Sequence, residues 1–180
     1  MYDDGMALII ENGTGVANAD SYGTRAGFIT HAADYYGGTV ADEDASDVSM
    51  RSAFAYLNGL KWKGTRALGR SQSGAWPRKS MTDCDGNKIG ESDIPPELIK
   101  AQYDLAWVEV QSPGTLTPSG SARDALVSRE KVDVIEVQYD TSRLLPGEDY
   151  LTVRVEAAMR LIDCFLSNGD SVRGVYVASV

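Results

Sequence analysis

Apolar residues recur every three or four positions along several stretches of this chain, and this spacing constrains the fold more than any other feature. The pattern is clearest near the C-terminus, where it comprises Leu151, Val155, Ala158, Ile162 and Phe165. Such spacing places the apolar side chains on one face of an α-helix. Asn168-Gly169 then gives a stop signal, because glycine readily adopts the left-handed conformation that ends helices. We therefore expect a mainly α-helical chain.

Two further helices have clear start signals. Thr24 is a capping residue for a helix that runs to about Tyr36 and ends at Gly37-Gly38. The sequence Ile94-Pro95-Pro96-Glu97 starts another, since proline is tolerated in the first turn and Glu97 complements the helix dipole there. That helix should reach about Gln111. Its predicted buried stripe is Leu98, Ala101, Leu105 and Val108, with Trp107 on the flank.

A fourth helix is predicted between these two. It follows the acidic run Asp42-Glu43-Asp44, is capped near Ser46 and ends near Gly64. Its apolar stripe comprises Met50, Ala53, Phe54, Leu57 and Leu60.

The remaining segments are predicted to be arms, loops and one small sheet element. They are an N-terminal arm (1–22) with a β-prone run at Leu8–Glu11, loops at 65–93 and 112–130, a β-hairpin at 131–140, and a C-terminal arm (169–180). The fold class is therefore mainly α: a four-helix bundle (23–168) with an inserted small β-hairpin and extended N- and C-terminal arms. No boundary divides the chain, so 1–180 is treated as a single domain.

Composition narrows the classes of function. The 180 residues carry a net charge of −9, so a phosphate backbone meets a repelling average field unless the cations cluster on one face. The two cysteines, Cys84 and Cys164, are too few for a disulfide framework and lack metal-ligand spacing, which predicts free thiols in a reducing compartment. No apolar run has the length of a membrane span.

Candidate catalytic and metal-binding patterns are weak. Asp83-Cys84-Asp85-Gly86-Asn87 begins like a calcium loop, but Lys88 and Ile94 occupy the positions that require glycine and glutamate, so a plain Asp-Gly turn is favoured. His31 is the only histidine, and a packed or surface role is expected for it. We predict no enzyme activity, no cofactor, no metal site and no catalytic residue.

One basic and aromatic cluster stands out. It comprises Lys61-Trp62-Lys63-Gly64-Thr65-Arg66, with Arg70, Arg78 and Lys79 downstream. Aromatic rings that stack on bases and cations that follow phosphates are how single strands are bound without sequence preference. The register of the preceding helix, however, turns Trp62 toward the core. Structural packing is therefore favoured over contact with nucleic acid.

The sequence resembles a family of phage proteins in several motifs. The N-terminal one is Met6-Ala7-Leu8-Ile9-Ile10-Glu11-Asn12-Gly13-Thr14-Gly15-Val16-Ala17-Asn18-Ala19-Asp20-Ser21-Tyr22. Further matches are Leu57-Asn58-Gly59, Trp62-Lys63-Gly64, Gln72-Ser73-Gly74-Ala75-Trp76-Pro77-Arg78, Asp85-Gly86 and Ile94-Pro95-Pro96-Glu97-Leu98-Ile99-Lys100-Ala101. These proteins are often described as DnaT-like single-stranded-DNA-binding proteins, but they look like helical head-to-tail adaptors, or connectors, of tailed bacteriophages.

The resemblance implies a structural virion protein. It implies a subunit of a homo-oligomeric ring, a dodecamer, that joins the portal protein to the tail or nozzle (stopper) protein and lines the channel used in genome ejection. DNA would pass through this channel without specific binding. The implied location is the neck of the virion, after synthesis in the host bacterial cytoplasm. The alternative is a single-stranded-DNA-binding replication protein of the DnaT-like kind.

Residue roles follow from the same resemblance and from the pattern of the tail. Within the family motifs, Trp62, Trp76, Pro77, Arg78, Pro95 and Pro96 are expected to be structural. Apolar residues alternate in the C-terminal arm and no later element covers them, so Val175, Tyr176, Val177 and Val180 are predicted to bind a partner by strand addition or apolar burial. The loop from Ser112 to Ser128 is a second candidate interface.

Overall fold

The computed structural model describes residues 7–40, 43–116, 129–132, 135–138 and 146–167, with side chains described in 7–40, 44–116 and 154–167. The predicted partner-binding residues Val175, Tyr176, Val177 and Val180 lie outside the described residues, as does most of the loop from Ser112 to Ser128. None of the described helices is long and apolar enough to cross a membrane.

Four α-helices dominate the described ranges: α1 (Arg25–Tyr36), α2 (Glu43–Asn58), α3 (Pro96–Gln111) and α4 (Pro146–Ile162). The capping signals act as predicted in α1, where the Thr24 hydroxyl accepts a hydrogen bond from the Gly27 amide at 3.0 Å and Gly37 is left-handed. In α3, Pro96 stands in the first turn and Glu97 is the acidic residue beside it.

Two helices differ from their predicted bounds. α2 begins at Glu43, ahead of the predicted cap at Ser46, because carboxylates in the first turn are themselves favourable to the helix dipole. It ends at Asn58, well before Gly64. The last turn is closed by Trp62, whose indole Nε1 donates to the Leu57 carbonyl at 2.9 Å. α4 begins at Pro146 and gives way after Ile162 to a 3₁₀ turn, Asp163–Phe165.

Two antiparallel strand pairs complete the described structure. β1 (Thr65–Arg66) pairs with β2 (Arg78–Lys79), which the sequence did not predict. β3 (Arg129–Val132) pairs with β4 (Ile135–Gln138), which confirms the small hairpin two residues earlier than predicted. A mainly α chain with four helices and a small hairpin is therefore confirmed in the described ranges.

The core is organised around α3, which packs against α1, α2 and α4. Its predicted stripe of Leu98, Ala101, Leu105 and Val108 is fully buried. Burying one leucine side chain of this kind contributes about 2 kcal/mol to stability. Trp107, predicted on the flank, is also buried and stacks on Tyr36 with ring centroids 5.5 Å apart.

The N-terminal segment is not an extended arm over residues 7–22. It folds back on itself, with the Glu11 amide donating to the Ser21 carbonyl at 2.8 Å. The buried Gln102 amide of α3 then holds its end: Oε1 accepts from the Tyr22 and Gly23 amides, and Nε2 donates to the Met50 carbonyl of α2. A buried amide that satisfies all of its groups fixes the position of the segment it binds.

Cys84 and Cys164 form a disulfide, so the prediction of two free thiols is wrong. They are separated by 80 residues in sequence, but their Cα atoms lie 5.3 Å apart. The fold brings the loop after β2 against the 3₁₀ turn after α4, and spacing along the chain carries no information about that meeting.

Candidate nucleic-acid interface

The cations of the chain are unevenly distributed along the sequence. Between Val48 and Thr82 there are seven Lys and Arg residues and no Asp or Glu, although the chain as a whole has a net charge of −9. Six of the seven lie in residues 61–79, here called the basic segment, which runs from the end of α2 through β1 and β2. This segment is the described part of the chain where a positive surface is expected.

Both tryptophans of the basic segment are internal. Trp62 is 8% exposed and Trp76 is fully buried. Their rings meet edge to face with centroids 5.7 Å apart, and Trp76 makes a similar contact with Phe165 at 5.6 Å. Neither ring offers a face to a nucleotide base, so these two residues contribute packing to the site.

Arg78 is buried beneath the segment and binds main-chain carbonyls. Its guanidinium donates to the carbonyls of Lys63 at 2.7 Å, Ala75 at 2.9 Å and Gly64 at 2.9 Å. Burial, together with the nearby charge of Arg66, lowers the pKa of Arg78. The planar guanidinium of arginine carries several N–H donors and can hold three carbonyls at once, whereas the ammonium group of lysine cannot. Arg78 therefore shapes the loop from inside.

The turn before Arg78 is fixed by two polar side chains. The Tyr22 hydroxyl accepts from the Ala75 amide at 2.9 Å and donates to Asn58 Oδ1 at 2.7 Å; burial raises the pKa of this hydroxyl. Gln72 Nε2 donates to the Pro77 carbonyl at 3.0 Å. The peptide bond between Trp76 and Pro77 is cis, and Pro77 is buried. These contacts give the basic segment one defined path.

The other five cations of the basic segment are exposed: Lys61, Lys63, Arg66, Arg70 and Lys79. Register places Arg66 of β1 opposite Arg78 of β2. Lys79 has an exposed ion pair with Glu91 at 3.5 Å, and contacts of this kind contribute little. Within the described ranges, no carboxylate pairs with Arg66 or Arg70. Arg66 and Arg70 thus present positive charge that no carboxylate in the described ranges neutralises.

A second surface feature carries mainly negative charge. A cleft of about 680 Å³ lies between the N-terminal segment and the start of α3. Pro95 and Pro96 form part of its wall. Its charged lining residues are Glu11, Asp83, Asp93, Glu97 and Lys88. Four carboxylates against one ammonium group would repel a phosphate, so the cleft is unsuited to binding a nucleic-acid backbone.

The predicted Asp-Gly turn is present at residues 83–87. Asp83 Oδ1 accepts hydrogen bonds from the Asp85 and Asn87 amides, at 3.0 and 2.8 Å. The hydrogen bonds that the side chain and backbone of Asn87 donate to Asp83 are the main reason that the pKa of Asp83 is lowered. The carboxylate that would start a calcium loop therefore organises its own turn.

His31 is also engaged within the fold. Its Nε2 lies 2.7 Å from Asp104 Oδ1, which also accepts a hydrogen bond from the Tyr36 hydroxyl. The imidazole stacks on Tyr35 with centroids 4.4 Å apart. Burial and the neighbouring Asp104 raise the pKa of Tyr36. Among the described residues there is no cluster of three or more potential metal-ligating side chains.

Comparison with known proteins gives one result. A family model with the description "Putative DnaT-like ssDNA binding protein" matches residues 6–177. No curated protein and no solved structure matches the chain significantly.

This match overturns the head-to-tail adaptor function. The prediction of an adaptor is wrong, and so is the description of the chain as a structural virion or connector protein. The family that matches is the DnaT-like alternative. The ring, the portal and tail partners and the virion location remain untested predictions. The match covers nearly the whole length, and the chain therefore belongs to the family of DnaT-like single-stranded-DNA-binding proteins.

Proposed function

We propose that this protein binds single-stranded DNA through the sugar-phosphate backbone, with the exposed cations of the basic segment as the contact surface. The observation that carries the proposal is the run of five exposed Lys and Arg side chains on a loop without a carboxylate. Family membership supports single-stranded DNA as the ligand. Trp62 and Trp76 are buried and cannot stack on a base, so the DNA strand is held by its phosphates.

The physical basis is the release of counterions. Each phosphate that a Lys or Arg neutralises frees a condensed cation, and for single strands the slope of log K against log salt is roughly −0.7 per contact. Four or five contacts predict a slope of about −3. The net charge of −9 adds a repelling average field, so binding should weaken steeply as salt rises and should depend little on base sequence.

Charge removal within the basic segment tests the proposal. The double variant Arg66→Ala, Arg70→Ala removes two exposed cations that have no carboxylate partner in the described part of the chain. We expect weaker binding of a fluorescein-labelled oligothymidylate and a salt slope shallower by about 1.4. Fluorescence anisotropy over a series of KCl concentrations measures both quantities.

A matched control changes the same total charge elsewhere. Lys100→Ala, Arg160→Ala also removes two exposed cations, from α3 and α4, and should leave affinity and slope close to those of the parent protein. Equal losses in the two double variants would show a general charge effect and no local site. Absence of binding by the parent protein at low salt would refute the proposed function itself.

The proposed role is binding without catalysis. The single histidine is held by Asp104 and surrounded by tyrosine rings, and each cysteine is paired with the other. These groups therefore serve the fold in the described structure.

A further inference from the structure

The start of the basic segment and the chain just after its end both meet one short piece of chain, residues 164–167, which begins in the 3₁₀ turn that follows α4. At the entry end the contacts are hydrogen bonds. The Lys63 amide donates to the Phe165 carbonyl at 2.9 Å, and the Ser167 amide donates to the Lys61 carbonyl at 2.8 Å. Lys63 Nζ also donates to the Cys164 carbonyl at 2.8 Å.

At the exit end the contact is covalent. Five residues after Lys79, Cys84 is joined to Cys164 by the disulfide. Cys84 lies in an exposed turn closed by a hydrogen bond from the Asp83 amide to the Asn87 carbonyl, at 2.9 Å. Cys164 and Phe165 are neighbours in sequence, so the segment from Lys63 to Cys84 forms a loop with both ends fixed at one place.

We propose that the Cys84–Cys164 disulfide is a redox switch for the DNA-binding surface, an inference that rests on the proposed function. The entry end is held by hydrogen bonds that do not depend on redox state. Beyond Met81, which is buried in the core, the exit end is held by the disulfide, because the hydrogen bonds of Asp83, Asp85, Gly86 and Asn87 run within the turn itself. Oxidation therefore fixes the path of residues 82–88, and reduction releases it.

The chemistry is thiol–disulfide exchange with a small thiol compound. In the oxidising direction, a low-molecular-weight disulfide such as oxidised glutathione accepts two electrons from the two cysteine thiols. The protein disulfide forms, and two small thiols leave with the two protons. In the reducing direction, the thiolate of a dithiol attacks the sulfur of Cys84, which is exposed, and Cys164 leaves as a thiolate and takes up a proton. The second thiol of the dithiol then attacks its own sulfur in the mixed disulfide, which closes the internal disulfide of the reductant and releases Cys84 as a thiol.

The consequence for binding is a difference in preorganisation. A loop that is already ordered does not lose further conformational freedom when DNA binds, whereas a released loop must be ordered at that moment. Among the exposed cations of the basic segment, Lys79 is the nearest in sequence to the Cys84 turn, so its position is the most sensitive. We expect reduction to weaken affinity about three- to tenfold, the effect of immobilising one or two long side chains.

The experiment compares two redox states and one variant. The protein treated with oxidised glutathione, the same protein reduced with dithiothreitol, and Cys84→Ser under both conditions are titrated with labelled oligothymidylate at fixed salt. Alkylation followed by mass spectrometry counts the free thiols, and far-UV circular dichroism reports folding. We expect the oxidised parent to bind most tightly. The reduced parent and Cys84→Ser should be weaker by the same factor, with Cys84→Ser insensitive to dithiothreitol.

The outcomes separate the switch from the proposed function. Equal affinity in both redox states overturns the switch, as do two free thiols after oxidation or loss of the helical signal on reduction. If the oxidised protein binds no DNA at low salt, the proposed function fails. Hydrogen exchange at residues 82–88 then tests the switch alone: faster exchange on reduction supports it, and unchanged exchange overturns it.

Discussion

At the scale of single residues, Arg78 shows how a cation in a basic cluster can serve the fold. Its neighbours Arg66 and Lys79 are exposed, but Arg78 is only 8% exposed and its guanidinium donates to main-chain carbonyls. In sequence, Arg78 belongs to the same cluster as the other cations, and only the family motif distinguishes it. Its carbonyl partners belong to a loop conformation that no periodicity encodes, so they could not have been predicted.

Arg78→Ala should destabilise the protein. The change leaves the carbonyls of Lys63, Gly64 and Ala75 without their donor, and hydrogen bonds to charged groups contribute about 1.5–3 kcal/mol. We expect the free energy of unfolding to fall by about 3 kcal/mol. Urea denaturation measures it. Arg78→Lys should recover only part of the loss, because one ammonium group cannot span three carbonyls. A urea midpoint for Arg78→Ala equal to that of the parent would contradict this role.

Trp62 shows that the physical reason for a residue's placement can differ from the one inferred. A helix that continued as far as Gly64 would turn the ring of Trp62 toward the core. α2 in fact ends at Asn58, and the ring is held beyond the helix by its bond to the Leu57 carbonyl and by contact with Trp76. Trp62 therefore lies beyond the end of α2, and its side chain closes the last turn of that helix from outside.

At the scale of elements, the helices were predictable and the loop between them was not. α1 and α3 carry local signals in Thr24, Gly37 and Pro96, and these act within a few residues of where they stand in sequence. β1 and β2 are two residues each and pair across eleven intervening residues. Strands this short have no period to detect.

The close approach of β1 and β2 is testable at two glycines of the same loop. Gly64 and Gly69 both have φ near +64°, so alanine is strained equally at each. A Cβ atom at Gly64 would lie 2.2 Å from the Lys79 carbonyl oxygen, whereas at Gly69 nothing lies within 4 Å. Gly69→Ala should therefore cost about 1–2 kcal/mol of stability, and Gly64→Ala a further 1–3 kcal/mol or so.

Gly64→Ala should also weaken DNA binding, because it displaces the strand that carries Lys79, while Gly69→Ala should bind as the parent does. Thermal unfolding and anisotropy on the same samples measure both effects. The pair shares its backbone strain, so the difference isolates the contact with Lys79. Similar losses of stability in the two variants would mean that this contact does not limit the loop.

At the scale of the whole molecule, net charge and spacing along the chain do not show where cations cluster or which cysteines pair. A net charge of −9 argued against nucleic acid, yet the described structure gathers five exposed cations on one loop. Two cysteines 80 residues apart looked unpaired until the fold brought them together. The same resemblance implied two functions, and the family match favours the DnaT-like alternative over the adaptor. Long-range placement, charge clustering and pairing are all properties of tertiary structure.

The interior position of every tryptophan gives a test of the binding mode. The chain has three, and Trp62, Trp76 and Trp107 are 8%, 0% and 6% exposed. Bases that stacked on tryptophan would quench its emission, whereas contact through phosphates leaves buried indoles unaffected. Saturating oligothymidylate should thus change the intrinsic emission of the protein little, under conditions where anisotropy shows full binding. Strong quenching that follows the binding curve would mean that a tryptophan leaves the core to meet DNA, and the backbone-binding mode would then have to be abandoned.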